Sequence, residues 1–201
     1  MFSRECECMK RRRSLRSIRK SGLGDMLSRY TFDNYETPDE RRALIKETAK
    51  RFVDSDTGWF FIAGHSGSGK THICTAICSA LIDKGNEVKY MLWRDENIAL
   101  KSCITEYDEY QRRISKLKEV PVLYIDDFWK VRDGSLTNAD VNLTFEIINA
   151  RYNDMSKRTI ISTELMYSDI IRVDEAIGGR IFERSRGFSV KAPDENWRLR
   201  M

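Results

Sequence analysis

The chain alternates short, continuously apolar runs with longer segments whose apolar residues recur at helical spacing. Trp59-Phe60-Phe61-Ile62-Ala63 is the clearest run, and its continuity predicts a strand buried on both faces. Further strands are expected at Val88 to Trp93, Val120 to Ile125, Thr159 to Ser162 and Phe188 to Lys191. A first helix is expected to run to about Val53, with Thr37 as its N-cap and Pro38 at the first helical position. Further helices are expected from Thr71 to Ile82, stopped by Gly85, over the highly charged residues 95 to 118, from about Ala139 to Asn153, and from Asp174 to Arg184. Five strands separated by helices imply an α/β fold, a parallel sheet sandwiched by helices. Upstream, residues 9 to 29 form a basic, weakly amphipathic stretch broken by Gly22 and Gly24. The expected division is therefore an arm or linker over 1–36 and one packed domain over 37–201. The closing Asn196 to Arg200 stretch carries no readable signal.

Composition narrows this picture. A chain of 201 residues suits one core, and no apolar run approaches the roughly 20 residues that span a bilayer, which excludes a membrane protein. The N-terminus lacks the apolar core of a secretory signal, so a reducing cytoplasm is the expected location. Five cysteines, at 6, 8, 74, 78 and 103, are odd in number and irregular in spacing, which argues against a disulfide framework. Cys74 and Cys78 fall four residues apart on one expected helix, as small buried apolar side chains do. Cys6 and Cys8 offer two of the four ligands that a tetrahedral zinc site takes, and no second pair is evident, so a half-site is the most they form. The net charge of +4 is uneven: residues 1 to 20 carry eight Lys or Arg against two Glu. Such an arm suits either a polyanionic partner or plain solvation as a tail.

The chemistry concentrates at residues 64 to 71, Gly-His-Ser-Gly-Ser-Gly-Lys-Thr, between an expected strand and an expected helix. Gly64, Gly67 and Gly69 let the backbone curl, so that N–H groups along His65, Ser66 and Ser68 face phosphate oxygens. Lys70 then reaches the β- and γ-phosphates of ATP, the Thr71 hydroxyl ligates Mg2+, and His72 continues the binding segment. Val122-Leu123-Tyr124-Ile125 delivers Asp126 and Asp127 to the end of another strand. There Asp126 would hold the metal and Asp127 would orient or deprotonate the attacking water. Arg180 and Arg184, four residues apart, share one helical face, which is either a solvated basic face or the source of an arginine reaching a neighbouring subunit's nucleotide. Trp93-Arg94, Lys101 and Gln111-Arg112-Arg113 mix aromatic and basic groups, as a single-stranded nucleic-acid surface or a solvated helix would.

Together these residues resemble the DnaC/IstB-like ATPases of the AAA+ class, especially helicase loaders of bacteria and their phages. The resemblance rests on Ser21-Gly22-Leu23 through Tyr35, the loop at 64 to 71, Tyr124-Ile125-Asp126-Asp127-Phe128, Thr159 to Glu164, and Asp174 to Arg184. It implies an AAA+ P-loop core that binds and hydrolyses ATP, self-associates in the ATP state, and loads a replicative hexameric helicase onto single-stranded DNA. It also implies that Arg184, with Arg180 beside it, is the arginine finger, and that Phe32 and Tyr35 sit near the adenine. Residues 94 to 118 occupy the place of a DNA-contacting insertion in initiator-type relatives. Two departures stand out: Ser162-Thr163-Glu164 replaces the usual sensor asparagine, with Thr163 as a substitute, and only Cys6 and Cys8 remain of an N-terminal metal cluster.

Other functions share the P-loop. A transposition helper ATPase of the IstB kind differs in its partner, a small-molecule kinase would transfer the γ-phosphate to an acceptor, and a DNA-binding adaptor would hold ATP without hydrolysing it.

Overall fold

The computed structural model describes residues 9, 12, 24–131 and 135–199, with only the backbone of Arg198. Cys6, Cys8 and nearly all of the basic arm lie outside the described residues.

A helix α1 (Gly24–Arg29) leads into α2 (Glu40–Asp54), and β1 (Trp59–Ala63) then enters the Gly-rich loop and α3 (Lys70–Asp83). There follow β2 (Val88–Leu92), α4 (Trp93–Ser102), α5 (Tyr107–Glu119), β3 (Val122–Asp126), α6 (Asn138–Tyr152) and β4 (Arg158–Thr163). The chain finishes with α7 (Tyr167–Val173), α8 (Glu175–Arg184), β5 (Ser189–Lys191) and a 3-10 turn (Trp197–Leu199). The five strands form one sheet in the order β2-β3-β4-β1-β5, every pairing parallel. That is the α/β sandwich expected from the apolar runs.

Several element boundaries differ from the expectation. The N-cap of α2 is Asp39, whose side chain accepts from the Arg42 N–H, so Thr37 and Pro38 lie outside the helix. Trp93 opens α4 instead of closing β2, and the charged segment 95–118 is two helices broken at 103–106. Helix α7 lies outside the helices expected from the sequence. The packed body also extends upstream of residue 37, because Tyr35 is buried and Met26, Leu27 and Phe32 pack against the core.

Strand alternation divides the core between two layers. Phe60 and Ile62 face Ile73, Ile77 and Leu81 of α3. Trp59 and Phe61 face the opposite cluster, with Ile147, Ile177 and Ile181 from α6 and α8. Burying each such side chain contributes about 1.5–3 kcal/mol, so the sheet is clamped from both sides. Cys74, Cys78 and Cys103 are buried thiols, with burial pushing the first two well above the ordinary thiol range.

This order fixes the functional geometry. β4 lies between β1, which carries the Gly-rich loop, and β3, which carries the paired aspartates. The residues just past β4 therefore face a gap between the two motifs.

Candidate nucleotide site

Strand β1 ends at Ala63, and the loop that follows is pinned to the sheet by the Gly64 N–H donating to the Thr163 carbonyl at 3.1 Å. Gly67 and Gly69 both adopt left-handed backbone, with φ of 78° and 93°. Gly69 is also the N-cap of α3, and no side chain caps that end. By contrast, Asp39, Thr137 and Asp174 cap α2, α6 and α8 with their own oxygens. An uncapped N-terminus leaves N–H donors and the positive end of the helix dipole directed at a ligand.

The loop borders a cleft of about 390 Å³, a size suited to a small ligand. Ser66 through His72 line one side, and Asp127, Lys130 and Glu164 line another. Tyr30, Tyr35 and His72 form an aromatic wall: Tyr30 stacks on His72 at 4.8 Å and Tyr35 meets it edge-on at 5.1 Å. The His72 Nε2 lies 3.1 Å from the Thr31 carbonyl and 2.9 Å from Asn34 Oδ1, which fixes the ring. Burial lowers the His72 pKa, favouring a neutral imidazole in that wall. Phe32, expected beside the base, does not line the cleft; it packs on the core, with the Lys50 ammonium 6.0 Å from its ring centre.

Lys70 is buried, and its Nζ donates to the carbonyls of Gly64 and His65 at 2.7 and 2.8 Å. Burial lowers its pKa, while the charges of Glu164, Asp127 and Asp126 act in the opposite direction. These carbonyls hold the ammonium at the floor of the cleft, where an anion would meet it. Ser68 Oγ is buried and makes no hydrogen bond to the described residues. Thr71 lines the cleft, whereas the His65 side chain is 77% exposed and turns toward Asp194. His65 thus contributes its carbonyl to the site, and its imidazole stands outside the wall.

The paired aspartates differ. Asp126 is buried; Oδ2 accepts from the Tyr90 hydroxyl at 3.1 Å, and Oδ1 accepts from Ser162 Oγ and from the Asp127 N–H. Asp127 is half-exposed in left-handed backbone, φ 50°, and Trp129 follows with φ 58°. Two non-glycine residues in that region cost about 1–2 kcal/mol each. Burial of Phe128 and Trp129 offsets this, aided by the Phe128 N–H to the Ser162 carbonyl at 2.8 Å and by Trp129 Nε1 to Thr144 Oγ1 at 3.0 Å. Such strain, held in place by packing, is typical of functional turns. Thr163, the expected sensor substitute, is fully buried and donates to the Phe128 carbonyl, so Glu164 is the residue of that segment that reaches the cleft.

These residues fit a nucleoside triphosphate: a glycine cradle, an uncapped helix, a buried lysine and an unpaired hydroxyl. For magnesium, Thr71 lines the cleft, whereas Asp126 is buried with both oxygens hydrogen-bonded, so it would reach a metal through water. Among the described residues no group of three or more His, Cys, Asp or Glu converges, and a magnesium ion sharing phosphate oxygens and waters needs only one or two protein ligands.

The arginines contradict one expectation. Arg184 does not project: it is buried, and its guanidinium donates to the carbonyls of Tyr152, Met155 and Lys157 at 3.0 to 3.3 Å while lying 5.4 Å over the Trp59 ring. Ile177 and Ile181 precede it on the same buried stripe of α8, a signal present in the sequence spacing. Arg180 is the less buried of the pair and lies over Phe145 and Tyr152.

The expected nucleic-acid cluster is also largely spoken for. Trp93 is buried and bonded to Thr144, Lys101 pairs with Asp140, and Arg112 and Arg113 both pair with Glu109. Arg94 stays exposed, and Tyr107 at 73% exposure is the aromatic that α5 offers to solvent.

Sequence reasoning missed Lys130, Tyr90 and Trp197. Trp197 lines the cleft from the C-terminal turn: its N–H donates to the Gly67 carbonyl at 3.0 Å, and the Arg42 guanidinium lies 4.6 Å from its ring centre. No helix among the described residues is long and apolar enough to cross a membrane.

A model of the family described as "IstB-like ATP binding protein" matches residues 1–192. The protein YqaM of Bacillus subtilis (strain 168) is 29% identical over 202 residues, covering 94% of this chain and 63% of its own length. The replicative helicase loader DnaC of Escherichia coli (strain K12) is 25% identical over 189 residues, covering 92% of this chain and 73% of DnaC. Among solved structures, the replication initiator DnaA bound to AMPPCP and single-stranded DNA superposes with a TM-score of 0.68 at 21% identity, covering 83% of this chain and 50% of that one. The fold is that of the AAA+ P-loop NTPases.

Proposed function

Because the chain belongs to the family of IstB-like ATP binding proteins, we propose that it is an ATP-hydrolysing loader of a replicative hexameric helicase. The observation that carries the reading is the cleft itself, where the cradle at 64–71 and Lys70 face Asp127 across the end of β4. ATP lies with its phosphates on the loop N–H groups and Lys70 and its base against Tyr30, Tyr35 and His72. Magnesium would be held through Thr71 and, by way of water, Asp126, and would supply charge neutralisation to the phosphates. Tyr90 and Ser162 keep the Asp126 carboxylate oriented. Asp127 positions a water whose oxygen bonds to the γ-phosphorus as the bond to the bridging oxygen breaks. The electron pair leaves on ADP, and Asp127 takes the proton.

Similarity to the replicative helicase loader DnaC supports a helicase as partner, and the DnaA structure with single-stranded DNA supports that ligand. Arg94 and Tyr107 are the side chains we assign to it. Self-association in the ATP state would use the α8 face around Arg180, the less buried arginine. An N-terminal arm serving the partner is likewise a proposal, and its boundary lies upstream of Met26, since Met26, Leu27, Phe32 and Tyr35 pack with the domain.

The test is reconstitution with a replicative helicase on circular single-stranded DNA. ATP-dependent transfer of the helicase to the circle and release of free phosphate are expected. Capture of a transposase with no helicase bound would favour the transposition helper, and γ-phosphate appearing on an acceptor would overturn the hydrolase.

A further inference from the structure

The cleft contains a second lysine whose charge the P-loop motif does not explain. Lys130 Nζ lies 2.7 Å from Glu164 Oε1 and 3.3 Å from Asp127 Oδ2. Burial disfavours its charge, but the hydrogen bond to Glu164 and the charges of Asp127 and Glu164 outweigh this, and its pKa is raised. Lys130 therefore stands as a cation between two carboxylates at the edge of the site.

Its position is built. The Lys130 N–H donates to the Asp127 carbonyl at 3.0 Å, closing the turn whose strained backbone is fixed by the buried, stacked rings of Phe128 and Trp129. Glu164 comes from the end of β4, the strand between the two nucleotide motifs. Glu164, Asp127 and Lys130 line the same cleft as Lys70, the lysine expected to meet the outer phosphates. The aromatic wall of Tyr30, Tyr35 and His72 belongs to the base.

We propose that Lys130 is a phosphate-sensing lysine: paired with Asp127 and Glu164, it transfers to the terminal phosphate when a nucleoside triphosphate binds and thereby separates ATP from ADP. Glu164, just past the end of β4, acts as the competitor that returns the lysine once the terminal phosphate is gone. The inference rests on the ATP-binding reading and adds to it a residue that distinguishes the two nucleotides. A diphosphate ends short of Lys130 and leaves the Glu164 pair intact.

The experiment is calorimetric titration of the full chain with AMPPCP and with ADP, each with magnesium. Wild type, Lys130→Gln, Lys130→Arg and Glu164→Gln are compared. Lys130→Gln is expected to weaken AMPPCP about tenfold while ADP stays within about twofold, the scale of one hydrogen bond to a charged group. Lys130→Arg should retain the preference, and Glu164→Gln, which removes the competing charge, should shift it further toward AMPPCP. An AMPPCP-to-ADP ratio unchanged in Lys130→Gln overturns the inference while leaving ATP binding standing. A wild-type chain that binds neither nucleotide overturns both.

Discussion

Arg184 lies over Trp59, its guanidinium 5.4 Å from the ring centre, and the carbonyls that Arg184 satisfies belong to the turn entering β4. The Trp59 Nε1 donates to the same Lys157 carbonyl, at 3.1 Å. Arg184 thus ties α8, the α6–β4 turn and the first strand together, and its removal exposes several buried acceptors at once. Arg184→Ala is expected to destabilise the fold by about 2–3 kcal/mol and to lower the melting temperature by about 5–10 °C, measured by calorimetry. A variant that melts like wild type but fails to hydrolyse ATP only when assembled would restore the finger role to Arg184.

Asp140 joins three elements: it accepts from Asn97 and Lys101 of α4 and completes the capping box with Thr137 at the start of α6. Burial raises its pKa, yet Lys101, Thr137 and Asn97 together bring it down to about 2. Because the folded pKa lies below the unfolded one, the stabilisation is complete above about pH 4 and vanishes as pH falls through about 2, on the order of 1–2 kcal/mol in all. Denaturant titrations of wild type and Asp140→Asn between pH 6 and pH 2 should converge at the acid end. Parallel curves would show that Asp140 is not held in this way.

Trp197 lines the cleft with its N–H on the Gly67 carbonyl, whereas Trp59, Trp93 and Trp129 are buried. Nucleotide binding should therefore change the fluorescence of one tryptophan. Trp197→Phe is expected to abolish most of the ATP-induced change while leaving the bulk of the emission. A full-sized change in that variant would place the signal in the core instead.

Gly67 shows the same contact from the loop side. A Cβ there would fall 1.9 Å from Asn196 Oδ1, on a backbone with φ of 78°. Gly67→Ala should strain the loop backbone and push the Asn196 side chain aside, reducing affinity for AMPPCP about tenfold. Unaltered affinity would mean that the turn and the cradle are independent.

The parallel sheet was legible because β1 and the body of β3 are buried along their lengths and read as continuous apolar runs, while β4, equally buried, shows only the Ile160-Ile161 pair between polar residues. The loop at 64 to 71 was legible because its glycines have a single structural use. Arg184 was misjudged for a definite reason: spacing from Arg180 says that two side chains share a face, and only the apolar pair Ile177 and Ile181 says which side of α8 faces inward. Lys130 and Trp197 were invisible because their roles depend on contacts across long sequence separations, Lys130 with Glu164 and Trp197 with Gly67. The pairing of Trp93 with Thr144 turned a supposed base-stacking aromatic into core for the same reason.

The central claim is that ATP is held at residues 64 to 71 through Lys70, and the most direct measurement is the affinity of the full chain for ATP with magnesium, by calorimetry, in wild type and Lys70→Ala. Wild type should bind one ATP per chain, and Lys70→Ala, folded as judged by its melting temperature, should bind about 10- to 100-fold more weakly. Equal affinity in the two proteins would contradict the claim.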